Sequence, residues 1–189
     1  MRHAALEFLS TPLVLGSVAA STHYLLSFCQ TVFHRRLGHR RVGGRLFRNH
    51  VRWHHVYYAK DHMVSAAYRT EHGNNTPFFL IPTAVVAGAT WWLLPLDLFV
   101  VHAGALALSF YAHVYLDVQY HVAGSWLGRF GWFRRKQQLH FVHHRQATAN
   151  FAVIDFFWDR LLATFQEVDP GELPSAPPPA PHRGSLRPL

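Results

Sequence analysis

The sequence predicts an all-α protein: a small bundle of about three to four membrane helices with a histidine-rich cap at one end. Three observations predict it. Apolar runs of spanning length alternate with polar segments, so 50% of residues are hydrophobic while mean hydropathy is only +0.01. The basic residues fall between and after those runs rather than inside them. Most of the sixteen histidines cluster near the ends of the runs.

The runs justify the elements in order. Thr11 to Phe33 is long enough to cross a bilayer and is interrupted mainly by His23. Thr76 to Pro95 is a second candidate, with Trp91 and Trp92 as interface anchors. Leu98 to Tyr120 is a third, carrying His102, His113 and Asp117. Pro95-Leu96-Asp97 leaves almost no loop between the last two, which reads as a tight helical hairpin. Residues 1–168 are expected to form one membrane-embedded domain. From Asp169 onward the chain is proline-rich, including Pro177-Pro178-Pro179, and is expected to be a disordered tail.

The basic residues set an expected orientation. Arg35, Arg36, Arg40, Arg41, Arg45, Arg48 and Arg52 follow the first run; Arg129, Arg134, Arg135, Lys136 and Arg145 follow the third. The positive-inside rule puts both segments in the cytoplasm and the N-terminus outside. Every histidine cluster then lies at one membrane face. The formal charge of +8 marks that membrane edge rather than a nucleic-acid surface, because apolar spans surround the basic segments. The lone Cys29 excludes an intramolecular disulfide and any multi-cysteine metal site.

Four histidine clusters carry the chemistry. The first is His34 and His39; the second is His50, His54 and His55. The third is His113, Asp117 and His121, spaced by four and so stacked on one helical face. The fourth is His140, His143 and His144, whose i, i+3, i+4 spacing lets them converge on one metal. Neutral imidazole is the commonest nitrogen ligand for transition metals. One metal takes about three to six ligands, so ten histidines suit two neighbouring ions. Iron is the expected metal, because it activates dioxygen and accepts nitrogen-rich ligation. Asp117 is expected to ligate directly or to orient His113 or His121. Isolated histidines such as His3, His23, His72, His102 and His182 read as surface or satisfied core residues.

The box order resembles the fatty acid hydroxylase superfamily, which includes sterol desaturases, C4-methylsterol oxidases and bacterial carotenoid hydroxylases. The sharpest match is His140-Phe141-Val142-His143-His144, then Asn150-Phe151, then Trp158-Asp159-Arg160-Leu161-Leu162-Ala163-Thr164. The family usually has Phe-Gly where this chain has Leu162-Ala163. Its second box usually runs i, i+3, i+4, whereas here Val51 stands three before His54 and His50 lies one residue earlier. Its third box often pairs histidines four apart, and here Asp117 stands four before His121.

The resemblance covers about His34 to Phe165. It implies a histidine-bound diiron centre on the cytosolic face, dioxygen as co-substrate, and hydroxylation or desaturation of a lipid: fatty acyl, sterol-like or carotenoid. The chain has no room for a fused electron-carrier domain, so electrons are expected from a separate protein. A non-catalytic histidine-rich metal-binding or transport protein is the competing class. A zinc metalloprotease is excluded, since no His-Glu-x-x-His occurs.

Overall fold

The computed structural model describes residues 11–59, 62–69 and 76–169. His3, His72, His182 and all of the proline-rich tail except Asp169 lie outside them. The described residues are helical, joined by turns and one isolated parallel bridge between Ser65 and Val122.

Helix α1, Pro12–Phe33, starts on a proline at its first turn, where the missing N–H costs nothing. It continues as a π-helical turn, His34–Gly38. A 3₁₀ turn, Arg41–Gly43, leads to α2, Arg45–Asn49. A second π-helical turn, His50–His54, and a short α-turn, His55–Tyr57, extend α2. Helix α3 is Thr76–Trp91 and α4 is Leu96–Tyr120. After a 3₁₀ turn, Trp126–Arg129, come α5, Gly131–Arg145, and α6, Phe157–Leu161.

Among the described residues, two helices are long and apolar enough to cross a membrane: α1 with its π turn, Pro12–Gly38, and α4. The C-terminal bound of the expected middle span is corrected. Helix α3 has 16 residues and stops at Trp91 rather than Pro95. Pro95 is the reason: it disfavours helical backbone at the residue before it and instead opens α4. At 1.5 Å per residue, the 16 described residues of α3 cover roughly 24 Å, and α3 carries the chain back between the parallel helices α1 and α4. The apolar helices do not hide in a soluble core. Leu108 on α4 is 70% exposed and Leu13 on α1 is 80% exposed, as lipid-facing side chains are.

Helices α1, α3 and α4 pack around Leu26, Val86 and Leu106. One histidine ties all three together. Thr22 Oγ1 lies 2.7 Å from His102 Nδ1, and Thr90 Oγ1 lies 2.8 Å from His102 Nε2. Each such interhelical bond contributes about 0.6–2 kcal/mol in an apolar medium. The residue expected to be bland is thus a satisfied core histidine. Helices α1 and α4 run in the same direction, since Thr22 meets His102 and, four residues further along each helix, Leu26 packs with Leu106. Their C-terminal ends therefore deliver His34 and His121 to the same end of the bundle. A second core of Phe79, Tyr120, Leu127, Phe133 and Val153 seats α5 against α4. A third, Leu139, Val142, Ala152, Phe156 and Val168, seats the C-terminal loop on α5.

Candidate metal centre

Nine of the ten histidines singled out from sequence come together in two groups. His34, His39, His50, His55 and His143 form the first; His54, His121, His140 and His144 form the second. Within each group the ligand nitrogens lie within 4.8 Å of one another. Each group could hold one metal ion.

The two π-helical turns explain the spacing. A π turn repeats every five residues rather than four, and such turns are frequent at functional sites. It brings His34 and His39, five apart, to an Nε2–Nε2 distance of 3.3 Å. It brings His50 and His55, also five apart, to 3.0 Å. The extra residue in the second box is thereby absorbed into the helix. His50 Nε2 thus meets His55, five residues on, in the first group, while His54 serves the second. Gly38 makes room: a Cβ there would stand 3.0 Å from His34 Cδ2 and 3.2 Å from His50 Cδ2.

The expectation that His140, His143 and His144 converge on one metal is corrected. His143 turns to the first group, while His140 and His144 serve the second. His54 and His55 divide in the same way. Adjacent helical residues point about 100° apart, so each His-His pair straddles the two groups. The rings of His55 and His144 stack 4.3 Å apart across the boundary, which places the groups side by side.

His113 lies outside both groups. It sits eight residues before His121, about 12 Å along the helix, too far for a shared ion. Its Nδ1 donates to the Ser109 carbonyl at 2.7 Å, and its ring lies 5.9 Å from that of His23. Asp117 stands at the rim of the second group. One carboxylate oxygen is 3.8 Å from His140 Nε2, and the other accepts from the Tyr68 hydroxyl at 3.5 Å.

The ring nitrogens show that a cation fits. A carbonyl oxygen only accepts, so a ring nitrogen bonded to one carries the proton. Nδ1 of His34 meets the Phe151 carbonyl at 2.6 Å and Nδ1 of His143 meets that of Ala149 at 2.7 Å. Nδ1 of His121 meets the Met63 carbonyl at 2.8 Å and Nδ1 of His144 meets that of Tyr58 at 2.9 Å. In all four rings Nε2 is left as a bare lone pair pointing inward. The lone pairs of His121 and His144 both face His140 Nε2, at 3.0 and 3.2 Å. A single N–H on His140 can satisfy one of them. A positive ion between them satisfies all three. Burial keeps the rings neutral: desolvation, then neighbouring imidazoles, holds His54, His55, His140, His143 and His144 well below the ordinary histidine range. Burial likewise pushes His121 down to about 4.

The carbonyls that orient these rings were invisible in the sequence, since every residue has one. What fixes their position was partly visible. The Asp159 carboxylate accepts from Phe151 N at 2.7 Å, Ala152 N at 2.9 Å and the Thr164 hydroxyl at 2.7 Å. The Asn150 amide donates to the Leu139 and Gln166 carbonyls at 3.1 and 2.9 Å and accepts from Gln166 N at 2.8 Å. Together they clamp the Ala149–Phe151 turn whose carbonyls hold His143 and His34. On the other side, the Ser65–Val122 bridge anchors the segment bearing Met63. The Tyr58 ring stacks 4.0 Å from that of His121.

The sequence profile of the fatty acid hydroxylase family matches residues 19–164. The chain belongs to the fatty acid hydroxylase family. That stretch contains both histidine groups and the Asn150–Thr164 clamp. Searches of curated proteins and of solved structures return no match. Membership makes the chain a relative of membrane-bound enzymes that act on lipids, and among the described residues two helices are long and apolar enough to cross the bilayer.

Proposed function

We propose that this fatty acid hydroxylase family member is a membrane-bound diiron oxygenase that hydroxylates or desaturates a lipid. Dioxygen is its co-substrate and a separate protein its electron donor. The observation that carries the reading is the pair of adjacent, buried imidazole groups with lone pairs directed inward. His34, His39, His50, His55 and His143 would hold one iron; His54, His121, His140 and His144 would hold the other. Iron bound there supplies dioxygen activation and hydrogen abstraction from an alkyl carbon.

The chain's own residues do the rest. Phe151, Ala149, Met63 and Tyr58 carbonyls fix the tautomers that make four Nε2 atoms available. Phe78 packs 6.0 Å from His34 and 5.0 Å from His50, and Phe151 packs 5.4 Å from His143, walling water away. Asp117 brings a carboxylate to the rim of the second group and accepts a hydrogen bond from Tyr68, which holds it beside His140. Hydroxylation balances as RH with dioxygen, two electrons and two protons giving ROH and water. The electrons come from the external carrier. The arginine distribution supports a cytoplasmic face for the site.

Metal analysis of the purified protein and comparative lipidomics of cells with and without the gene test this reading. About two irons per chain and a new oxygen-bearing or unsaturated lipid that requires dioxygen are expected. Bound metal with no lipid change under air would make the chain a metal-holding protein instead.

A further inference from the structure

Three arginines of the cap take no part in the centre described above. Arg41, Arg48 and Arg52 line a groove of about 370 Å³ with Gly44, Phe47 and Val51. All three are exposed, and no carboxylate of the described residues pairs with them. The stretch from His34 to Ala59 contains seven arginines and no aspartate or glutamate. The groove is therefore a concentrated positive site with an apolar floor.

Its depth is set by α1. The helical run Pro12–Gly38 has 27 residues. That is roughly 40 Å, longer than the roughly 30 Å hydrocarbon core. Arg35, Arg36, Arg40 and Arg41 crowd its Gly38 end, so the excess length lies there, in the headgroup layer, and Arg41 follows Gly38 by three residues. Gly43 keeps the groove at that level. A Cβ there would stand 1.8 Å from the Leu37 carbonyl oxygen, so only glycine lets the Arg41 turn fold back against the end of α1.

We propose that this groove binds the phosphate of an anionic phospholipid, with Arg41, Arg48 and Arg52 on the phosphate and Phe47 and Val51 against the first carbons of the chains. Guanidinium groups match phosphate oxygens in geometry and charge. Unpaired arginines at headgroup depth meet an anionic lipid surface before any soluble anion. The proposal concerns lipid binding and stands whether or not the oxygenase reading does.

The test uses the full chain, purified in a neutral detergent and stripped of lipid. Binding of dihexanoyl phosphatidylglycerol, dihexanoyl phosphatidylcholine and sodium phosphate is measured by calorimetry. The phosphatidylglycerol is expected to bind more tightly than the other two. Changing Arg48→Gln together with Arg52→Gln should weaken it roughly 30-fold. Arg48→Lys with Arg52→Lys should keep most of the affinity. Removing the same charge elsewhere, by Arg129→Gln with Arg134→Gln, should leave binding unchanged. Metal content of each variant verifies that the cap has folded. Equal binding of phosphatidylcholine overturns the proposal even if the glutamine pair misfolds. So does an equal loss in the Arg129–Arg134 pair, or sodium phosphate binding as tightly as the lipid. An acidic ferredoxin that binds with the same arginine dependence and is not displaced by phosphatidylglycerol would make a protein the occupant and also overturn it.

Discussion

The two histidine groups use the same side chain but are braced by different parts of the chain. The five-histidine group draws on both π turns, the residue that follows each of them, and α5, and two of its rings hang on carbonyls of the Ala149–Phe151 turn. That turn is clamped by Asp159 and Asn150 from the C-terminal signature. The four-histidine group is wholly buried, and two of its rings hang on Tyr58 and Met63, in the segment that follows α2. It has Asp117 at its rim. It also has looser members: among the described residues, neither nitrogen of His54, nor Nδ1 of His140, has a hydrogen-bond partner. One group is held by a rigid C-terminal clamp; the other depends more on the ion to complete it.

Removing a ligand from each group is the strongest way to break this comparison. His143→Ala should strip the first group and His140→Ala the second. Each should lower turnover by more than about 100-fold, beyond what loss of an orienting partner costs. Both proteins should still insert in the membrane, because insertion depends on α1 and α4. Metal counting should show each variant losing about one ion more readily than both. If either variant keeps full metal and turnover, that group is not a metal site.

Removing the braces should separate the groups more finely. Asp159→Asn replaces an acceptor of three hydrogen bonds at a fully buried position. It should cost on the order of 3 kcal/mol of stability and weaken the first group. Asp117→Asn should spare the fold and cost the second group about 10–100-fold in metal affinity or activity. A heavier loss of metal would make Asp117 a direct ligand, and wild-type values would remove it from the site. Metal titration of the two variants side by side reads the difference.

Much of this was legible in the sequence, and the failures have physical causes. Clustering and spacing located nine of the grouped histidines. Period alone placed His113 with His121, but eight residues of helix separate them by too many ångströms for one ion. The spacing His50-Val51-Arg52-Trp53-His54-His55 reads as a departure on an α-helix; it fits once the backbone takes a π turn, and no side chain announces a π turn. The splitting of His143 from His140 follows from helix geometry but depends on where the other ligands stand. Span length from hydropathy overran α3, because an apolar stretch can continue past the point where Pro95 ends the helix.

Acid should act on both groups with a known sign. His121 is held near 4 by burial, against 6.5 for a free histidine. Between those values the unfolded chain takes up a proton that the folded one refuses. Stability is therefore full above about pH 6.5 and falls as pH drops toward 4. The other buried rings shift the same way and add to the loss. Protons also compete with metal for Nε2. Thermal melting of metal-free and metal-loaded protein between pH 7.5 and 5 should show both weakening, with metal released on the way down. A melting temperature that rises on acidification would contradict the neutral, inward-facing imidazoles.

The smallest effect lies in the clamp itself, at two residues with left-handed backbone. Asn150 has φ 52° and Ala163 has φ 54°. Ala163 follows the end of α6, where Thr164 N and Phe165 N bond back to the Asp159 carbonyl at 2.8 and 3.1 Å. An L-residue with a Cβ is strained there by about 1–2 kcal/mol, and glycine is not. Glycine also frees the unfolded chain, which takes back about 0.4–1 kcal/mol. Ala163→Gly should therefore stabilise by roughly 0.5–1 kcal/mol and raise the melting temperature by about 1–4 °C. Asn150→Gly relieves the same backbone but deletes the amide that bonds Leu139 and Gln166. Asparagine already tolerates this conformation, so little strain is recovered, and the variant should lose on the order of 2 kcal/mol. Opposite signs at two residues with the same φ would show that Ala163 is tolerated by the clamp while Asn150 builds it. A melting temperature that falls for Ala163→Gly would mean that its methyl group packs more usefully than its backbone is strained.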